Sequence, residues 1–600
     1  MSRSEFGTLV PSSAECLLHP ICDAQGRAET HEYDEANRRI RTTLRNGEVI
    51  GYAYDSRNRP TEVVRGDSRT HYSYDALGRP IQIDEGGVRL QYDWDSADRL
   101  VREVQDSARG YHSIEYRYDA LDRRIARTVG GRDETRYVWN KAGQIAEIHY
   151  RGEVTRYDYD SAGRLARKTL LGGSSQTYTL DAAGRLTRIE YHDRSGSLTD
   201  RLDLAYDAEG HIVRKTLLDT GLKQDSALVA EYDDANRMTR VSIAGKTWAL
   251  SYDANGNLIG KTNVADASDA TRYTWDSRNR LIALDAPGLA ARFEYDPLGR
   301  RIARTVNGET TAYLYDGAQA IGEIRGAQTT TVLTGVAMDE ALARYAGSAR
   351  LEQLTDHLGS VIRRIGEDGS TRSRTAYSPY GEASTTGDAQ GDGTGYTGRE
   401  DDGTGLYFYR ARYYDPVLGR FVSEDPIGVA GGINTYSYVE GNPVSYVDPT
   451  GELAWFAAPI IGAVGGGLID LGVQLYRHGG NLKCVSITEV LAAAGAGAVF
   501  ASTGPSGLLF GRAGASAARM GYKGGVFNTG NFRVGWSWNK GANNFSIHGG
   551  APRTPGHWHI DLFRGPATPA VGQFGVGGAV VGGAAAGGVG ALLECECAAK

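Results

Sequence analysis

Charged and apolar residues alternate from Arg151 to Asp158. The alternation breaks at Ser161 to Arg164, and a second run extends from Leu165 to Leu170. Strict alternation predicts a half-buried β-strand, and the Gly-bearing interruption predicts a turn. The same passage recurs along the chain. A Tyr-Asp, Trp-Asp or related pair begins at Tyr33, Tyr54, Tyr74, Trp94, Tyr118, Trp139, Tyr159, Leu180, Tyr206, Tyr232, Tyr252, Trp275, Tyr295 and Tyr315. These fourteen positions are mostly 20 or 21 residues apart, with four intervals of 23 to 26. A fixed period of this size marks a repeat architecture.

One repeat has room for two strands of about six residues. Gly or Asn in the turn supplies the positive φ that a hairpin requires, and Tyr, Trp, Val, Ile and Thr suit the strands. A lone hairpin is marginal, so neighbouring repeats must pair and share a buried face. The expected product is a long, curved antiparallel ribbon. Within it each Asp is expected to cap its turn through backbone N–H groups, and the following Arg to lie against an aromatic ring. A ligand site would not need fourteen copies, so the pairs read as scaffold.

Six hundred residues allow several domains. The net charge of −7 excludes nucleic-acid binding by bulk charge. Five cysteines (16, 22, 484, 595 and 597) are too few for a disulfide framework, and Cys595 and Cys597 lack the spacing of a zinc or redox pair. No metal and no cofactor is expected. Residues 1–6 do not begin a cleaved signal segment, so export would follow a signal-peptide-independent route.

From about residue 351 the pattern changes. Asp356-His-Leu-Gly-Ser360 is followed by Tyr377-Ser-Pro-Tyr-Gly381 and by a Tyr- and Arg-rich run from Gly405 to Pro416. Two Asp-Pro-x-Gly motifs follow, Asp425 to Gly428 and Asp448 to Gly451. Residues 30–451 resemble the RHS/YD-repeat polymorphic toxin family with its repeat-associated core. The resemblance implies a mainly β fold, a spiralling antiparallel β-ribbon forming a cocoon around a small C-terminal α+β toxin. It also implies delivery into competing cells, often by a type VI apparatus, with secretion spike or adaptor proteins and a cognate immunity protein as partners. In similar proteins the two motif aspartates, here Asp425 and Asp448, form a self-cleaving aspartyl protease. Two carboxylates held close cannot both ionise, so one would serve as acid while the other activates water. They would titrate as a coupled pair. Bare tight turns are the structural alternative. The family usually has Leu directly after the second motif; here Glu452 precedes Leu453, which leaves the scissile bond within Gly451 to Ala454. The expected divisions are a leader (1–30), the YD-repeat cocoon (31–350), the core (351–451), an apolar linker (452–511) and a toxin with a Gly-rich tail (512–600).

After Trp455 the sequence becomes apolar and rich in Gly and Ala, and Val571 to Leu593 carries no charge. That length is compatible with membrane contact or a pore-forming toxin, and equally with a sheltered segment. Residues 500–593 hold seven Arg or Lys and one acidic residue, Asp561, which favours a polyanionic substrate such as RNA. Alternation places His557, His559 and Asp561 on one strand face, with His548 on a neighbouring strand. Two imidazoles suit general acid–base cleavage of RNA. Arg533, Lys540 or Arg553 would hold phosphate, and Trp536 and Trp538 would stack bases. A His-His-Asp metal site for a DNase is the weaker chemical alternative. The absence of Glu between residues 500 and 593 disfavours ADP-ribosyl transfer, and the absence of Cys-x-x-Cys disfavours a deaminase. A non-enzymatic shell or adhesin is the third function class.

Overall fold

A computed structural model describes residues 28–218, 223–388, 393–452 and 454–456, and four C-terminal strands, 523–529, 532–539, 544–550 and 558–563. The long part is an antiparallel meander in which each strand pairs with the next. Eighteen strands from Thr30–Tyr33 to Ile212–Leu217 form one sheet, and sixteen from Leu228–Tyr232 to Ala383–Gly387 form a second.

One repeat shows why the chain folds this way. Strand Val49–Tyr54 pairs with Pro60–Arg65 across a turn closed by Asp55 N–H to the Arg59 carbonyl at 2.9 Å. Asn58 adopts φ 61° there, the conformation expected of Gly or Asn. Asp55 Oδ1 accepts the N–H groups of Arg57 (2.8 Å) and Arg59 (3.0 Å), and Oδ2 accepts Arg59 Nε (2.7 Å). The guanidinium lies 4.5 Å from the Tyr74 ring centroid of the next repeat and donates to the Asp75 carbonyl. Tyr74 donates its hydroxyl to the Pro60 carbonyl at 2.9 Å. Each Tyr-Asp pair therefore receives the arginine before it and holds the turn after it. The same linkage recurs at Asp75, Arg79 and Trp94, and at Asp276, Arg280 and Tyr295.

Contacts between distant repeats show that the ribbon spirals. Asn46 meets Asn255 at a separation of 209 residues, Arg278 meets Glu85 at 193, and Tyr157 meets Glu340 at 183. Further along, Tyr191 reaches Thr355 at 164 residues and Lys215 reaches Asp356 at 141. Elsewhere the separation stays long, 210 at Gln105–Tyr315 and 197 at Glu153–Arg350, and it is clearly shorter only from Tyr191 onward, so the last part of the spiral uses less chain and narrows beside the core segment. Ile148, Tyr191 and Leu202 of the first sheet are buried with Leu333, Leu342 and Ala343 of the second, and with Tyr409, Tyr414 and Phe421 of the core. Burying these faces against each other supplies the apolar contact that a single hairpin lacks.

The ladder does not stop at residue 350, where the sequence motif changes. Strands pair continuously from Ala349–Thr355 to Ala383–Gly387. Asp356 still caps its turn by accepting Leu358 and Ser360 N–H at 2.9 Å, with Ser360 where the repeat has Arg. The motif marks side-chain linkage on the turns, whereas the ladder needs only backbone. Among the described residues helical structure is limited to short 3-10 turns, as at Gly428–Gly431, and no helix is long and apolar enough to cross a membrane. Beyond Phe456 the apolar linker, the Gly-rich tail and any helical part of the C-terminal region lie outside the described residues.

Candidate active site

After the second sheet a small four-stranded sheet includes Tyr407–Tyr409 and Arg412–Asp415. A tight turn joins these two strands, with Arg410 at φ 55°. Tyr396, Tyr409, Tyr414, Phe421 and Tyr438 pack around this hairpin, edge-on or tilted except for the stacked pair Tyr396 and Tyr414. Among these rings Arg412 is almost completely buried, its guanidinium 3.6 Å from the Phe421 centroid.

Both motif aspartates converge on that guanidinium. Arg412 Nη2 is 2.8 Å from Asp425 Oδ2 and 3.3 Å from Asp448 Oδ2. All three side chains are 3 % exposed. Each aspartate also closes its own turn. Asp425 Oδ1 accepts Ile427 N–H at 3.0 Å, and Gly428 N–H reaches the Asp425 carbonyl at 2.8 Å. Asp448 Oδ1 accepts the N–H groups of Gly451 (2.9 Å) and Glu452 (3.0 Å) and the Thr450 hydroxyl (3.3 Å). Tight-turn and site geometries therefore coexist in the same residues.

Two glycines permit this approach. Gly451 has φ 73°, and a Cβ there would strike the Tyr409 carbonyl. A Cβ on Gly431 would strike both Asp425 Oδ2 and the Glu452 carbonyl oxygen, so that carboxylate and that carbonyl face one small gap. Arg412 Nε donates to the adjacent Gly451 carbonyl, and Arg412 Nη1 to the Thr435 carbonyl at 3.0 Å.

The electrostatics differ from those of a bare carboxylate pair. Burial pushes the Asp425 carboxyl up to about 6, with Asp448 adding to the rise, although Arg412 and the Ile427 N–H oppose it. Burial also lowers Arg412 from the usual guanidinium range, against the attraction of both carboxylates. Desolvation outweighs the shared cation at Asp425. The site can therefore present one carboxylic acid beside a second carboxyl group, next to a peptide carbonyl.

Arg412 was not among the residues that sequence reasoning singled out. Its signal was an arginine inside the aromatic run from Leu406 to Tyr414, where a buried cation requires a buried anion.

In the C-terminal sheet the backbone register sets His548 opposite His559 and Ser546 opposite Asp561. Arg533 stands opposite Gly550 and Gly535 opposite His548. Directly opposed residues share a face. In that register Arg533, His548, His559 and Asp561 occupy one set of alternate backbone positions, and Trp536 and Trp538 the other. His557, Lys540 and Arg553 lie outside the described residues.

Comparison with known proteins adds to this geometry. The chain matches the teneurin YD-shell family over residues 16–170 and 168–430. It is 30% identical over 400 residues to double-stranded DNA deaminase toxin A of Burkholderia cenocepacia, covering 57% of this chain and 26% of that protein. It is 27% identical over 384 residues to toxin protein Tse5 of Pseudomonas aeruginosa, covering 55% and 28%. It is 29% identical over 270 residues to the tRNA nuclease WapA of Bacillus subtilis, covering 42% and 11%. The matched part thus spans about a quarter or less of these relatives. Among solved structures, the crystal structure of TcdB2-TccC3-Cdc42 aligns with a TM-score of 0.56 at 16% identity, covering 71% of this chain and 27% of that one. At that identity the likeness concerns the fold.

Proposed function

We infer the function from one premise: this chain belongs to the teneurin YD-shell family. It is the shell and core of an RHS-type interbacterial toxin that cuts its own chain after the second Asp-Pro-x-Gly motif. The observation that carries this reading is the burial of Asp425 and Asp448 on one arginine, against the backbone of Gly451 and Glu452.

The bond favoured by the geometry is Glu452–Leu453, because the Glu452 carbonyl oxygen shares a gap with Asp425 Oδ2. Asp425, in its acid form up to about pH 6, is placed to donate to that carbonyl oxygen as the reaction proceeds, and would stabilise the charge that develops there. Asp448 takes a proton from the attacking water. Water oxygen bonds to the carbonyl carbon, the C–N bond breaks, and the departing Leu453 nitrogen receives the proton. Arg412 holds the two carboxyl groups in register.

The released C-terminal region is the effector. Its basic balance and a backbone register that sets His548 opposite His559, with Asp561 two residues on, support a His-dependent ribonuclease, with Arg533, His557, Lys540 and Arg553 nearby in sequence. Relatives named as a tRNA nuclease and a probable deoxyribonuclease support a nucleic-acid substrate. Trp536 and Trp538, on the strand that also carries Arg533, would stack bases. A signal-peptide-independent apparatus such as type VI would deliver the protein, and an immunity protein would protect the producer.

Synthesis of the full chain followed on a denaturing gel tests the cleavage. Asp425→Asn and Asp448→Asn should each leave the chain intact, a rate loss of at least about 1,000-fold for removing a reacting group. A normal fragment from Asp448→Asn would overturn the assignment. Mass analysis of the parent's fragment should place its first residue at Leu453.

A further inference from the structure

The turn at Leu44–Gly47 lies near the start of the ribbon, yet it touches the core beside Asp425. Arg45 holds Glu424 through both guanidinium ends, Nη2 to Oε2 at 2.5 Å and Nη1 to Oε1 at 3.3 Å, across 379 residues. Its Nη2 also donates to the Asn255 carbonyl at 3.0 Å, and Asn46 N–H donates to Asn255 Oδ1 at 3.1 Å. The Arg45 and Glu424 side chains are only 15% and 19% exposed. Three parts of the chain meet here: the first revolution, the second revolution and the core.

The core strand end is pinned from both sides. Tyr436 donates its hydroxyl to the Gly256 carbonyl at 2.7 Å. Gly256 has φ 86°, and a Cβ there would strike the Glu424 side chain, so the contact is closely fitted. Asp425 N–H donates to the Thr435 carbonyl at 3.0 Å, which also accepts Arg412 Nη1. Glu424 and Tyr436 thus flank the pair Asp425 and Thr435 at the base of the loop that carries the acid.

We propose that Arg45 and Glu424 are positioning residues for self-cleavage, so that Asp425 is set for reaction only once the spiral has closed on itself. The proposal rests on the reading of Asp425 and Asp448 as the cleaving pair. Arg45 reaches Glu424 only after the ribbon has come round to Asn255 and the core has settled on that wall. A two-ended arginine–carboxylate contact fixes direction as well as distance. A displacement of about 1 Å at a reacting group lowers a rate by about 100-fold. Closure of the container and release of its contents are thereby ordered in time.

The test is a time course of fragment appearance during synthesis of the full chain. Arg45→Ala should slow cleavage by about 10- to 100-fold. Arg45→Lys, which retains the charge and one contact, should cleave at an intermediate rate. The Asp448→Asn variant run alongside separates the two claims. If Asp448→Asn is inert and Arg45→Ala cleaves at the parent rate, the positioning role is overturned while the site stands. If Asp448→Asn still cleaves, the site assignment falls, and this proposal with it. Should Arg45→Ala lose its cooperative thermal transition, Glu424→Gln decides: slowed cleavage supports the role, and the parent rate overturns it.

Discussion

The wall and the core use the same device with opposite electrostatic results. In a wall turn Asp55 Oδ1 caps two backbone N–H groups, and Oδ2 is held by Arg59, four residues on. In the core Asp448 Oδ1 also caps two backbone N–H groups, but Oδ2 is held by Arg412, 36 residues back and shared with Asp425. A local partner at a partly exposed turn keeps the charge in place: the Arg123 hydrogen bond holds the Asp119 carboxyl below its ordinary range. A distant, shared partner at a buried turn does not suffice at Asp425, whose carboxyl rises to about 6. Burial and a distant cation are not enough by themselves, because at the buried Asp356 turn Lys215, 141 residues back, still holds the carboxyl below its ordinary range; what sets Asp425 apart is that its one buried cation is shared with a second carboxylate.

The largest test of this contrast removes the shared cation. Arg412→Leu would leave two buried carboxyl groups without their counter-ion and should destabilise the core by about 3–5 kcal/mol, as read from denaturant unfolding. A loss below about 1 kcal/mol would show that the core turns, like the wall turns, are independent of it.

Next comes pH. Asp425 has a raised value, so the stability that its protonated form contributes is fully present below the unfolded value near 4 and lost as pH rises through about 6. The difference is about 3 kcal/mol for this one group. Asp119, with a lowered value, contributes in the opposite sense: its share is present above the unfolded value and fades as pH falls. Cleavage should slow about tenfold per unit above pH 6, since the acid form is consumed. A rate that rises between pH 6 and 8 would contradict the role of Asp425 as the acid.

The smallest effect belongs to the wall. Arg59→Ala removes one turn contact and one ring contact, and should cost about 1 kcal/mol or less, with cleavage unchanged. Thermal melting and the same gel assay measure both. A cleavage defect from this substitution would erase the distinction between wall and core.

The repeat was legible because its information is local. Tyr74, Asp75 and Arg79 recur with the period of the fold, and the structure places Asp in the turn and Arg against the next ring, as the spacing suggests. The candidate site was half legible. The two Asp-Pro-x-Gly motifs announced Asp425 and Asp448, but nothing in their spacing supplied Arg412, or Glu452 with its carbonyl in the gap. The change of motif near residue 351 suggested a boundary that the strand ladder crosses without interruption, because backbone pairing does not depend on the turn side chains.

The amino-acid sequence by itself determined the hairpin, its turn chemistry and its pairing with the next hairpin. Each of these depends on residues within about two dozen positions, where alternation and turn type leave few alternatives. The tertiary structure alone decided the narrowing of the spiral, the meeting of Asp425 with Asp448 on Arg412, and the contact of Arg45 with Glu424. Those contacts join residues up to 379 positions apart. They depend on the accumulated twist and curvature of many strands, and no local pattern encodes that sum.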